Sequence, residues 1–150
     1  MSKNKKLTKI FKKFGIDKVK KGNEFAYVYE DNMIIYTTDI CIVDDFFSDF
    51  LYERFDYDDK YPFAMSLLHE VGHHVNNDEI IDNIYAFCIA EKYKINKAVE
   101  KLADNDLERY KELNFQYFNL PDEIMATAWA VNYAKKHPKK LAKIEKIINK

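Results

Sequence analysis

The stretch Leu67-Leu68-His69-Glu70-Val71-Gly72-His73-His74 constrains this chain more than any other, because it sets the pattern His-Glu-x-x-His inside an amphipathic run. Phe63, Leu67, Leu68, Val71 and Val75 recur at helical spacing, and Pro62 stands where a first helical turn tolerates proline, so the spacing predicts a helix over residues 62–75. Residues four apart lie on one helix face, which brings the His69 and His73 imidazoles to a common point where a tetrahedral cation such as Zn²⁺ would sit. Glu70 projects beside them. It is too close in sequence to be a comfortable third ligand, but a carboxylate there can take a proton from an attacking water as general base. Three of the chain's four histidines fall within this turn and a half.

A chain of 150 residues, 47% hydrophobic and carrying eleven Phe and eleven Tyr, has the material for one ordinary core, so a single domain over residues 1–150 is expected. The formal net charge of −1 argues against a dedicated nucleic-acid binder, although the charge is unevenly spread. Cys41 and Cys88 each lie in an apolar segment and read as buried thiols. The Lys-rich N-terminus is followed by no apolar signal region, and no run is long enough to span a bilayer. A soluble, cytoplasmic protein with no membrane partner is expected.

Leu7, Ile10, Phe11 and Phe14 recur at helical spacing among lysines, with Gly15 as a stop. Residues 25–29 and 33–37 alternate around the turn Glu30-Asp31-Asn32 and read as a hairpin, and residues 40–43 as a third strand, giving a small antiparallel sheet. Residues 40–43 are also the candidate edge for pairing with an extended peptide, with a plain structural strand as the alternative. A helix capped by Asp44 or Asp45 and carrying Phe46, Phe47, Phe50, Leu51 and Phe55 precedes an acidic loop over 56–60. After the motif helix, which Asn76 or Asn77 would end in a left-handed cap, residues 79–94 read as a central helix. One or two short helices follow within 96–119, then a loop over 114–120. Pro121 opens a further helix that Pro138 ends, and Leu141, Ile144, Ile147 and Ile148 mark a last one. The pattern is α+β and mainly helical, with the sheet packed on the motif helix.

A third ligand is needed, since two imidazoles hold a metal weakly. Three carboxylates compete. Glu79 lies ten residues after His69, as the last ligand does in metzincins, but Asn76 stands where those enzymes have a glycine. Glu91 is flanked by Lys92 and Lys94, which suggest an exposed face. Glu123 begins a helix whose small residues Ala126 and Ala130 would allow close approach to the motif helix.

Glu123-Ile124-Met125-Ala126-Thr127-Ala128-Trp129-Ala130, downstream of His69-Glu70-Val71-Gly72-His73, resembles the pattern of the ImmA/IrrE-type metallopeptidases of phages, mobile elements and their bacterial hosts. Those proteins carry Glu-x-x-Ala-Asn-x-Phe-Ala, so this chain keeps the Glu and both alanines and has Thr127 for Asn and Trp129 for Phe. The resemblance extends over residues 24–134 in order of elements. It implies a zincin-like fold, Zn²⁺ on His69, His73 and Glu123, and Glu70 as the base. It also implies endopeptidase cleavage of a protein substrate, in known relatives often a transcriptional repressor. His74, Tyr85, Tyr133 and His137 are the polar candidates for stabilising an oxyanion. The alternatives are a catalytically silent, zinc-stabilised protein-binding module with the same ligands and a metal-free helical interaction protein, which the two basic terminal helices suggest. The helix-turn-helix module that often accompanies the family is not apparent in this sequence.

Overall fold

Ser2 accepts a hydrogen bond from the Lys5 N–H and so opens helix α1 (Lys3–Phe11), which buries Leu7 and Phe11 completely. In the computed structural model, which describes residues 1–39 and 45–150, α1 tightens into a 3₁₀ turn and ends at Gly15. The φ of +88° there is left-handed, a conformation glycine takes without a Cβ clash. Three strands follow: β1 (Lys18–Lys21), β2 (Ala26–Val28) and β3 (Met33–Tyr36). Asn32, at φ +49°, closes the expected β2–β3 hairpin.

The sheet is mixed rather than antiparallel. β3 lies in the middle, antiparallel to β2 and parallel to β1, with Ile34 facing Tyr27 on one side and Val19 on the other. The chain passes from β1 to the far edge and the hairpin brings it back between. β1 escapes a pattern search because Val19 is its only buried residue among exposed lysines. The strand expected over 40–43, and Cys41 with it, lies outside the described residues.

Seven α-helices are present among the described residues and dominate the fold. After α2 (Asp45–Phe55) comes α3 (Pro62–Val75), the motif helix, with the bounds its periodicity predicts. It buries Phe63 through Met65, Leu67 to His69, Val71 and Gly72, packing against β2, β3 and two later helices, α6 (Pro121–Lys136) and α7 (Pro138–Asn149). Each fully buried leucine on α3 stabilises the fold by about 1.5–3 kcal/mol. The α3 N-terminus is held by Glu145 of α7, which accepts from Ala64 N at 2.6 Å and from Phe63 N at 3.4 Å. At the other end Asn76 has φ −95° rather than a left-handed value. Its side chain donates to Gly72 O and Met125 O instead, tying the helix end to α6.

Between α3 and α6 the chain builds α4 (Asp82–Glu100) and α5 (Leu107–Phe118). α4 starts later than expected and is peripheral: only Cys88 and Ile95 are buried, while Ile81, Tyr85, Phe87 and Tyr93 are more than half exposed. α5 runs on through the segment expected to be a loop. Asn114 and Asn119 donate to the carbonyls four residues back, so polar residues that suggested a break secure the last turns. No helix among the described residues is long and apolar enough to cross a membrane.

Candidate metal centre

The centre lies where α3 and α6 come closest. A Cβ added at Gly72 would stand 2.4 Å from the Ala126 carbonyl oxygen, so the two helix backbones meet there without an intervening side chain. Ala126 and Ala130 are fully buried on the facing side, as their size suggested. This approach brings Glu123, in the first turn of α6, onto the two motif histidines. Glu123 Oε2 lies 3.0 Å from His69 Nε2 and 2.6 Å from His73 Nε2, and the two nitrogens are 3.1 Å apart.

These atoms fit a metal ion. Bonds of about 2.0–2.2 Å in tetrahedral geometry place neighbouring ligand atoms about 3.3–3.6 Å from one another, so to admit an ion His69 Nε2 must spread from the other two by a few tenths of an ångström, and Glu123 Oε2 and His73 Nε2 from each other by about 0.7–1.0 Å. Among the described residues this is the one group of three or more histidine, cysteine or acidic donors arranged to hold a metal ion. Glu79 is exposed in a 3₁₀ turn after α3, and Glu91 pairs with Lys94 at 3.1 Å; neither joins the site.

Thr127, one of the two residues that depart from the pattern this segment resembles, sets the tautomer of His69. Its hydroxyl donates to Glu123 O at 2.9 Å, leaving lone pairs to accept from His69 Nδ1 at 3.0 Å. With the proton on Nδ1, Nε2 presents its lone pair to the centre. Phe47 closes the other side of the His69 ring, 5.3 Å away edge-on. On the far side of Glu123, Lys92 Nζ is 3.6 Å from Oε1 and 2.5 Å from Asp122 Oδ2, which leaves Oε2 for the imidazoles.

Electrostatics follow from this packing. Burial disfavours the Glu123 carboxylate, but His69 and His73 outweigh it and hold its pKa well below the usual range. Burial likewise opposes the charged form of His73, and Glu123 overcomes it to raise the pKa. Desolvation raises the pKa of Glu70, against the pull of His69 and His73. Lys92 stays cationic because Glu123 and Asp122 offset its burial. Tyr117 is pushed up to about 12 by burial and then by Glu123, so its hydroxyl keeps its proton at neutral pH.

A cleft of about 790 Å³ opens onto the centre, with Glu70, His73 and Glu123 on its floor and β2 along one wall. Of the four residues considered for an oxyanion, Tyr85 alone lines it, at the rim. His74 turns toward the sheet, where its Nδ1 is 2.9 Å from Tyr27 Oη. Tyr133 packs among Phe14, Trp129 and His137 outside the cleft. Lys92 and Tyr117 do line it and were not anticipated. One signal for Lys92 exists: it sits four residues after Cys88 and three before Ile95, on the buried stripe of α4.

No protein-family model, curated protein or solved structure matches this chain.

Proposed function

We propose that this chain is a zinc-dependent endopeptidase of the kind its two motifs resemble, acting on a peptide bond in a protein such as a transcriptional repressor. The observation that carries this reading is the convergence of His69 Nε2, His73 Nε2 and Glu123 Oε2 at the floor of an open cleft that Glu70 also lines. Two imidazoles and one carboxylate suit Zn²⁺ and leave a fourth position open. Bound there, Zn²⁺ supplies Lewis acidity that polarises a carbonyl and makes a neighbouring water more acidic.

The protein's residues supply the rest. Glu70 takes the proton of the attacking water and returns it to the departing amine, a transfer its desolvated position favours. Thr127 and Lys92 hold His69 and Glu123 in orientation. Tyr117 and Lys92, donors on the cleft wall, face the negative charge that builds on the carbonyl oxygen. β2 has β3 as its only strand neighbour among the described residues and lines the cleft, so an extended substrate can add to its free edge as a further strand.

The test is Glu70→Gln, which preserves shape but cannot accept the proton. Wild type and variant, each purified without a His tag, are assayed for zinc and then co-expressed with repressors encoded near the same gene. The variant is expected to keep one Zn²⁺ per chain and to lose cleavage by about 10²–10⁴-fold. Equal fragmentation by both forms rules out Glu70 as the base. Zinc without fragmentation by either would support a binding module instead.

A further inference from the structure

The net charge of −1 conceals two poles. Residues 1–21 carry nine lysines against one acid, Asp17, and residues 135–150 carry seven against one, Glu145, while residues 22–134 hold 23 acids against eight lysines and arginines. The two basic segments are remote in sequence but adjacent in space. α1 packs on α7, and Lys3 Nζ donates to Ile148 O at 3.1 Å across a separation of 145 residues. Fifteen of these sixteen lysines are exposed. None pairs with a carboxylate among the described residues, and none lines the metal cleft. Positive charges this close, sixteen lysines with only Asp17 and Glu145 among them, produce a field that draws a polyanion.

Where the 3₁₀ turn after α1 meets the C-terminal end of α6, a smaller cavity of about 330 Å³ opens between Phe14, Trp129, Tyr133 and His137, lined also by Lys13, Asn132 and Lys136. Trp129 and Tyr133 are stacked at 5.4 Å, and Phe14 meets both edge-on. Partial desolvation, then the charges of Lys140, Lys13 and Lys136, depress the pKa of His137, so lysines of α7, of the 3₁₀ turn and of α6 act on this slot.

We propose that the α1–α7 face binds nucleic acid, its lysines contacting phosphates and the aromatic slot receiving an unpaired base. A membrane surface is disfavoured because Leu7, Phe11, Leu141, Ile144 and Ile148 are fully buried, leaving ammonium groups and no apolar stripe to enter lipid. An acidic protein would use the lysines but not an aromatic slot framed by cations, which suits a base and its phosphate together. Every basic residue of the two segments is a lysine, a point charge without the fork that reads guanine edges, so binding is independent of sequence. This inference does not depend on the catalytic reading; the net charge that spoke against nucleic acid averages over the two poles.

The experiment is fluorescence anisotropy of the full chain with short labelled single-stranded and duplex oligonucleotides. Single strands are expected to bind more tightly, with affinity falling about 10²–10³-fold between about 50 and 200 mM salt if about six phosphates are contacted. Reversing Lys9, Lys12, Lys140 and Lys143 to Glu should abolish most of the binding and flatten that slope while zinc content stays unchanged. His137→Ala should weaken single strands and leave duplex unaffected. Oligonucleotide affinity unchanged by the four reversals would overturn the proposal, as would binding to phosphatidylserine vesicles without binding to either oligonucleotide.

Discussion

Replacing Gly72 with alanine tests how the proposed metal site is held together. The added methyl carbon would lie 2.4 Å from Ala126 O, 2.9 Å from Ala126 Cα and 3.0 Å from Ala126 C, all backbone atoms of α6. No rotamer change can relieve the overlap. A carbon–oxygen contact settles at about 3.3 Å, so α6 must retreat from α3 by about 0.9 Å. Ala126 is one turn from Glu123, and Gly72 is one residue from His73, so the displacement passes directly into the ligand set. Metal bonds tolerate about ±0.2 Å, several times less than the shift required. Zinc affinity, measured by competition with a chromophoric chelator, is expected to fall at least about 10-fold. The unfolding free energy without metal should drop by about 1–3 kcal/mol, as overpacked cores generally do. Because the clash is with backbone, adding Ala126→Gly should not rescue it. Gly72→Ala with wild-type affinity and stability, or rescue by the second change, would refute the reasoning.

Thr127→Val removes the acceptor of the His69 Nδ1 proton and should lower zinc affinity about 10–100-fold, whereas Thr127→Ser should retain it; the same chelator competition reads both. Asp59 is raised from 3.8 to about 6, chiefly by burial, with Ser48 opposing. A folded pKa above the unfolded one means the native state holds the proton more tightly, so this group's stabilisation is present below about pH 4 and is lost as pH rises through about 6. Asp59→Asn should therefore gain at most about 3 kcal/mol over wild type at about pH 7.5 and little at about pH 4, in urea unfolding at each pH. Glu145→Ala leaves the Phe63 and Ala64 N–H groups without their acceptor and should cost about 1–2 kcal/mol in the same assay.

The site was more legible than the sheet, and the reason is locality. His69, Glu70 and His73 occupy one turn, so their geometry follows from helix periodicity, and Pro121, Glu123, Ala126 and Ala130 mark a helix start and a thin face within ten residues; what singled out Glu123 from Glu79 and Glu91 was the resemblance. β1 pairs with a strand fifteen residues downstream, and a lysine-rich segment with one buried valine carries no trace of that partner. Apolar residues on every side of α4 suggested burial, yet nothing local could show that α5 and α6 would cover only the stripe through Cys88 and Ile95. Lys92 was taken as a sign of exposure for the same reason: its partners Asp122 and Glu123 lie thirty residues away.

Between His73 and Glu123 the chain leaves α3, builds α4 and α5, and returns to its starting point. This excursion carries its own small apolar cluster of Cys88, Ile95, Leu113 and Leu120, apart from the main core. The ligands meet through the α3–α6 contact, to which the excursion contributes no backbone, whereas Ile80, Tyr85 and Tyr117 form cleft wall. On the proposed reading, the metal ligands and the base thus lie outside the part of the polypeptide that supplies this wall. If the chain is the peptidase proposed, drift within α4 and α5 can redirect the choice of target while the metal ligands keep their spacing, and a transplanted hairpin could confer a new target in one step. Lys92 and Tyr117 are where chemistry and recognition meet, since both line the cleft wall and face the proposed developing charge, and Lys92 also steadies Glu123. A lineage free to change the rest of that wall would have to keep a cation there.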